Sequence, residues 1–199
     1  MQTLLAEIRA CRLCEAHLPL GPRPVVQLGT GARILIIGQA PGTKVHQTGI
    51  PWNDPSGDTL RRWLQVSREQ FYDPEQIAIM PMGFCYPGRG NSGDLPPRPE
   101  CAPAWHKRIL AALPNVQLTL FIGLYAQRYY LGKRYATLTD TVRHWREFAP
   151  DRLPLPHPSP RNRRWLTQNP WFEQEELPAL RARVHEVLDT KPEAGSGQL

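Results

Sequence analysis

Two groups of residues in the 199-residue sequence have the types and spacing to do chemistry. The first is a set of four cysteines. Cys11 and Cys14 form a C-x-x-C pair, and Cys85 and Cys101 follow with fifteen residues between them. A C-x-x-C pair can chelate one metal centre, and its thiolates are also redox-active. Four thiolates make the ligand set of a cubane iron–sulfur cluster or of a zinc site, although a four-Cys zinc site usually brings two close pairs and only one is present here. The second group is "HPSPRNRRW", His157–Trp165, where two prolines flank Ser159 and Arg161, Arg163 and Arg164 follow closely. Imidazole handles protons near neutral pH, and hydroxyls and guanidinium groups hold phosphate. Each group also has a plainer reading: four unrelated thiols, a loop histidine, a solvated arginine face.

The elements that must position these residues are legible as apolar runs. "RILIIG" (Arg33–Gly38), "IAIMP" (Ile77–Pro81), "LTLFIG" (Leu118–Gly123) and "LPLP" (Leu153–Pro156) read as strands buried on both faces. Helix-like segments lie between them. "SGDTLRRWLQV" places Leu60, Trp63 and Leu64 on one face behind Ser56 and Asp58 as caps. "CAPAWHKRILAAL" places Trp105, Ile109, Ala112 and Leu113 together, "LYAQRYYLG" ends at Gly132, and "EQEELPALRARVHEVL" carries Leu177, Leu180, Val184 and Leu188 at helical spacing. Strands alternating with helices predict an α/β chain, with a central four-stranded parallel sheet covered on both faces. We expect one domain over residues 1–189 and a disordered tail over 190–199, where "TKPEAGSGQL" shows no apolar pattern.

All four strands run into unusual loops: "GQAPG", "MGFCYPG", "GLYAQ" and "HPSPRN". In an open α/β sheet, ligands bind beyond the carboxyl ends of the strands, so these loops are expected to converge on one site. "GQAPG" (Gly38–Gly42) lacks the GK[ST] ending of a phosphate-binding loop; alone it is a tight turn that lets a ligand approach the backbone. The formal charge of +6, with 20 of the 24 basic residues arginine, suits a polyanionic partner and equally suits simple solubility. No apolar run is long enough to span a membrane and the first residues lack the pattern of a secretory leader, so a cytoplasmic location is expected. A disulfide framework is unexpected there, which leaves metal or redox chemistry for the thiols.

Taken together, the motifs resemble the iron–sulfur (family 4) uracil-DNA glycosylases. "CRLCEAHLPLGPRPVVQLGTGARILIIGQAPG" is similar to that family's N-terminal block, and "TGIPWNDPSGDTL" to its G-x-P-F segment. "FCYPG…PPRPEC" is similar to its third and fourth cysteine block, "FIGLYAQRYYLG" to its helix start, and "HPSPRN" to its H-P-[SA] motif, all in the family's order from Cys11 to Leu166. The resemblance implies a three-layer α/β/α sandwich and hydrolysis of the N-glycosidic bond of uracil flipped out of DNA. It implies a [4Fe–4S] cluster on Cys11, Cys14, Cys85 and Cys101, structural in role, with zinc as the alternative. By position, Trp52 is the plate that stacks on uracil, His157 stabilises the departing base, and Gly38, Gln39, Ala40, Pro41 and Gly42 line the pocket.

Departures from the pattern carry their own expectations. Ala40 stands where related enzymes without a cluster have a catalytic Asp, and Gly42 where they have a Tyr that excludes the thymine methyl. Asp54, two residues beyond Trp52, is the candidate to orient water, against the plainer role of an Asx turn before Pro55. Pro81 and Met82 replace the uracil-reading Asn, which leaves Asn53 or the amides near Gly83 and Phe84 to read the base, and opens the range to hypoxanthine and xanthine. Ser159, Arg161, Arg163 and Arg164 are assigned to DNA, Arg161 standing roughly where the family inserts an apolar wedge. The loop between the last two cysteines has no His, so turnover rather than covalent trapping is expected. The expected partner is uracil-containing DNA, single- or double-stranded, and the expected state a monomer. The rival from another class is a non-catalytic uracil- or damage-binding DNA protein with a degenerate site.

Overall fold

The computed structural model describes residues 1–91 and 93–189; the tail expected to be disordered lies outside them. Four short strands form the central sheet: β1 (Ile34–Ile37), β2 (Ile77–Ile79), β5 (Leu118–Ile122) and β6 (Arg152–Leu155). All pairings are parallel, in the order β2-β1-β5-β6. A minimal hairpin, β3 (Arg89–Gly90) and β4 (Gly93–Asp94), stands apart from the sheet. The four strands coincide with the four apolar runs of the sequence because each is buried on both faces, which leaves no room for polar residues.

Successive residues of β1 divide between two cores. Ile34 and Ile36 pack on one face against Leu60, Trp63, Leu64, Val142, Leu180 and Val184. Leu35 and Ile37 pack on the other against Ile8, Trp105, Ile109 and Ala126. The first layer comes from α3 (Pro55–Leu64), α7 (Leu138–Arg143) and α9 (Leu177–Asp189). The second comes from α1 (Gln2–Arg9), α6 (Leu124–Tyr130) and α5 (Lys107–Ala111), the last continuing a wide π turn over Ala102–His106. The result is the expected three-layer α/β/α sandwich. Shorter helices α2 (Thr43–Thr48), α4 (Arg68–Tyr72) and α8 (Arg163–Gln168) join the layers to the loops. Among the described residues no helix is long and apolar enough to cross a membrane.

Two local expectations shift. Helix α3 begins at Pro55, so Ser56 and Asp58 lie inside its first turn, and the cap is Asp54 with Pro at the first helical position. In α9 the buried stripe is Leu177, Leu180, Val184 and Val187, with Leu188 only half-buried beside it.

Candidate active site

The carboxyl end of the sheet holds a tight cavity of about 50 Å³. Its walls bring together residues far apart in sequence: Gly38–Gly42 after β1, Trp52 and Asp54 before α3, Pro81 after β2 and His157 after β6. Val25, Val45, Pro51 and Ile79 complete the lining, and nothing in the sequence marked them.

The floor is an extension of the β1–β2 ladder beyond both strands. Met80 donates its amide to Ile36, Met82 to Gly38 and Gly83 to Gln39, at 2.9–3.0 Å. The carbonyls of Gly38 and Gln39 are thereby satisfied. The amides of Gln39, Ala40 and Gly42 have no acceptor among the described residues, so they remain free donors beside the cavity. The same bonds correct one expectation. The Gly83 amide is already spent on Gln39, and Phe84 is buried in a stack with His106 and lines no part of the cavity. Asn53 is also outside the lining; its side-chain oxygen accepts from Arg68 at 3.3 Å. Pro81 has no amide hydrogen to offer, and its carbonyl is hydrogen-bonded by His106 at 3.1 Å.

Trp52 is held in a left-handed conformation (φ 55°), which is costly for a bulky residue and persists only where the surroundings impose it. Three features impose it. Gly57 carries no side chain, and a Cβ there would lie 1.7 Å from the Trp52 carbonyl oxygen. Buried Arg61 reaches that same oxygen at 3.5 Å and the Tyr72 hydroxyl at 3.2 Å, while Tyr72 donates to the Pro51 carbonyl at 3.0 Å. The Arg61 guanidinium also lies over the Phe71 and Tyr72 rings, 5.3 and 5.6 Å from their centroids. The indole then covers Gly38, where a Cβ would stand 2.9 Å from the ring. Nothing local in the sequence signals Arg61 or Tyr72, because their contacts to Pro51 and Trp52 are tertiary.

His157 faces the indole, with ring centroids 5.5 Å apart and planes 35° apart. Neither ring nitrogen has a partner among the described residues. Burial lowers its pKa, and the nearby Asp54 carboxylate opposes that shift. The imidazole is therefore neutral at physiological pH, with one N–H to give. Its backbone is fixed by Asn162, whose side-chain amide donates to the His157 carbonyl at 2.7 Å. Asp54 spends Oδ1 on the Gly57 amide at 2.8 Å, as helix cap, and Oδ2 makes no hydrogen bond among the described residues. Capping and a place at the cavity are thus both present in one side chain. Sequence reasoning missed a second carboxylate: Asp94 Oδ2 on β4 stands 3.4 Å from where a Cβ on Gly42 would be.

Around the mouth, the Ser159 hydroxyl accepts the Arg161 amide at 3.2 Å and so caps the short turn over Pro160–Asn162. Arg161 lies against the hairpin, its Nη1 3.1 Å from the Cβ position of Gly93. Arg161, Arg163 and Arg164 are exposed, and none has an acidic partner among the described residues.

The four cysteines are free thiols; Cys14, Cys85 and Cys101 are buried and Cys11 is half-buried. They share one corner. The charge of a thiolate on Cys11, Cys14 or Cys85 would raise the pKa of neighbouring cysteines. Burial pushes Cys85 up to about 11 and Cys101 up to about 12. Cys14, Cys85 and Cys101 are therefore neutral in this arrangement, and among the described residues no three His, Cys, Asp or Glu side chains form a metal-ready group. As a donor set the corner suits a thiophilic centre, because a bound cation supplies the charge that buried thiolates otherwise lack.

The fold and this arrangement define an α/β protein with its site at the carboxyl end of a parallel sheet. The family model of the uracil DNA glycosylase superfamily matches residues 26–181, and the chain belongs to that superfamily.

Proposed function

We propose that this chain is a monofunctional DNA glycosylase that hydrolyses the N-glycosidic bond of uracil, acting as a monomer on DNA at the start of base excision repair. The observation that carries the reading is His157: a partly buried, neutral imidazole without a protein partner, facing Trp52 across a cavity edged with free amides. A base paired inside a duplex is out of reach, so the target is flipped into the cavity. The Trp52 ring supports its face. The Gln39, Ala40 and Gly42 amides take over the reading of its oxygens, since Pro81 stands where a side-chain amide would. As the C–N bond breaks, its electron pair moves onto the base, and the His157 N–H stabilises the negative oxygen; such preorganised stabilisation is usually the largest catalytic contribution. Asp54, through its free Oδ2, orients the water that attacks the cationic sugar and accepts its proton.

The shared corner of four thiols supports reading Cys11, Cys14, Cys85 and Cys101 as the ligands of a [4Fe–4S] cluster, which would staple the N-terminal segment to the loop after β2 without taking part in bond cleavage. Absorbance near ~400 nm in anaerobically purified protein supports the cluster, and a colourless zinc-containing protein replaces it with zinc.

Incubation with uracil-containing single- and double-stranded oligonucleotides, followed by alkali, tests the activity. Strand cleavage at uracil is expected. The absence of side-chain acid or amide at Ala40 and Pro81 favours one second reading, a non-catalytic binder. A uracil-dependent gel shift without cleavage would establish that reading instead.

A further inference from the structure

A second cavity, of about 420 Å³, opens beside the first at the carboxyl end of the sheet. It lies between α6 and the segment over residues 97–99, with Met82 at its base and Pro97, Pro99, Tyr125, Arg128 and Tyr129 among its walls. Three observations set it apart. Tyr125 (37% exposed) and Tyr129 (51%) are the only exposed Phe, Tyr or Trp side chains among the described residues, and both line this groove. Four residues apart on α6, they share one face of the helix, with Arg128 between them, and Arg128 has no acidic partner among the described residues. The groove is also tied through the chain to the candidate active site. Pro81 lines one cavity and its neighbour Met82 the other, and the Met82 amide is bonded to Gly38 in the floor of the first. The opposite wall is fixed to the same floor, because Pro97 packs on Gly83, where a Cβ would meet it at 3.0 Å.

Flat side chains, a free guanidinium and a dry base of proline and methionine make a surface for the faces of planar rings. Bases show their faces only when they are unpaired. Aromatic stacking of this kind is tolerant of sequence, and arginine adds attraction to the ring and to the adjoining phosphate. We propose that this groove is a stacking platform for unpaired bases of the substrate strand next to the flipped nucleotide, so that the protein favours single-stranded or locally melted DNA. The proposal rests on the reading of the chain as acting on DNA, and it adds a strand preference that the pocket alone does not supply.

The test compares wild type, the Tyr125→Ala/Tyr129→Ala double variant and the Tyr125→Phe/Tyr129→Phe pair. Three uracil substrates are used: a single-stranded 15-mer, the same strand in duplex, and a trinucleotide with too few bases to reach the groove. The alanine pair is expected to raise KM on the single strand by about tenfold or more with kcat unchanged, to leave the duplex and trinucleotide within about twofold, and to be rescued by the phenylalanine pair. Equal effects on all three substrates, or none, overturn the platform. Fluorescence anisotropy with a uracil-free single-stranded oligonucleotide separates this from failure of the activity itself. Weaker binding by the alanine pair upholds the platform even if no substrate is cleaved, and equal binding by wild type and variant overturns it.

Discussion

Two histidines flank the end of β2, and the chain uses them in opposite ways. His106, 2% exposed, is fully committed: Nδ1 pairs with the Tyr130 hydroxyl at 2.6 Å, Nε2 with the Pro81 carbonyl at 3.1 Å, and the ring stacks between Phe84 and Tyr130. His157 is also kept neutral by burial, yet its ring nitrogens make no hydrogen bond among the described residues. One imidazole is a core residue whose hydrogen bonds close a structure; the other is withheld from the structure. Burial and a depressed pKa are common to both, so neither identifies a working residue. What differs is whether the hydrogen-bonding capacity has been used.

The contrast is sharpest under substitution. His157→Ala is expected to reduce kcat on uracil-DNA by about 10²–10⁴-fold while leaving the melting temperature nearly unchanged, as measured by oligonucleotide cleavage beside thermal unfolding. A large loss of stability with retained turnover would erase the distinction. For His106 the expectation is reversed. Its pKa is lowered to about 4 by burial, so the unfolded chain takes up a proton that the folded chain refuses. Its contribution to stability is complete above about pH 6.5 and is lost as pH falls toward 4, an amplitude of about 3 kcal/mol. Urea unfolding between pH 4 and 7.5 should show this slope in wild type and a flatter, lower curve in His106→Ala, whose activity per folded molecule stays within a few-fold.

Asp54 asks the same question of a carboxylate. Asn caps a helix as well as Asp does, so Asp54→Asn keeps the bond to Gly57 and removes the charge. A loss of about tenfold to a hundredfold in kcat at unchanged stability is expected for a water-orienting group; wild-type kcat would leave Asp54 as a cap alone. Tyr72→Phe gives the smallest effect. It deletes the hydroxyl between Arg61 and the Pro51 carbonyl, which should cost about 1 kcal/mol and raise KM more than it lowers kcat as Trp52 loosens. Tryptophan fluorescence on adding free uracil would register that loosening.

The sheet was readable because β1, β2, β5 and β6 are apolar on both faces, and the convergence of the segments after β1, β2 and β6 followed from a general property of parallel sheets; the loop after β5 departs from that expectation, since it lines no part of the site and places Tyr125 in the neighbouring groove. The ordered motifs carried the family as far as Trp52, His157 and the Gly38–Gly42 loop. Illegible were the features made by packing between distant segments. Arg61 and Tyr72 read as ordinary residues of amphipathic helices, yet they clamp the backbone beneath Trp52. Gly83 and Phe84 sit at a strand end in the right neighbourhood, but their groups are turned to the ladder and to His106, which spacing along the chain does not reveal. Asp94 approaches Gly42 only because a two-residue hairpin folds back between the last two cysteines.

The extended ladder between β1 and β2 has a consequence for how the pocket behaves when empty. Because Gly38 and Gln39 hold the last rungs of a sheet rather than a free loop, the floor is as rigid before a base arrives as after it. The amide hydrogens of Met82 and Gly83 should exchange with deuterium as slowly as those of the neighbouring strands, while those of Gln39 and Ala40, without an acceptor among the described residues, exchange quickly until a base covers them. Binding would thus be recorded as protection gained at two adjacent residues, without any rearrangement of the backbone that carries them.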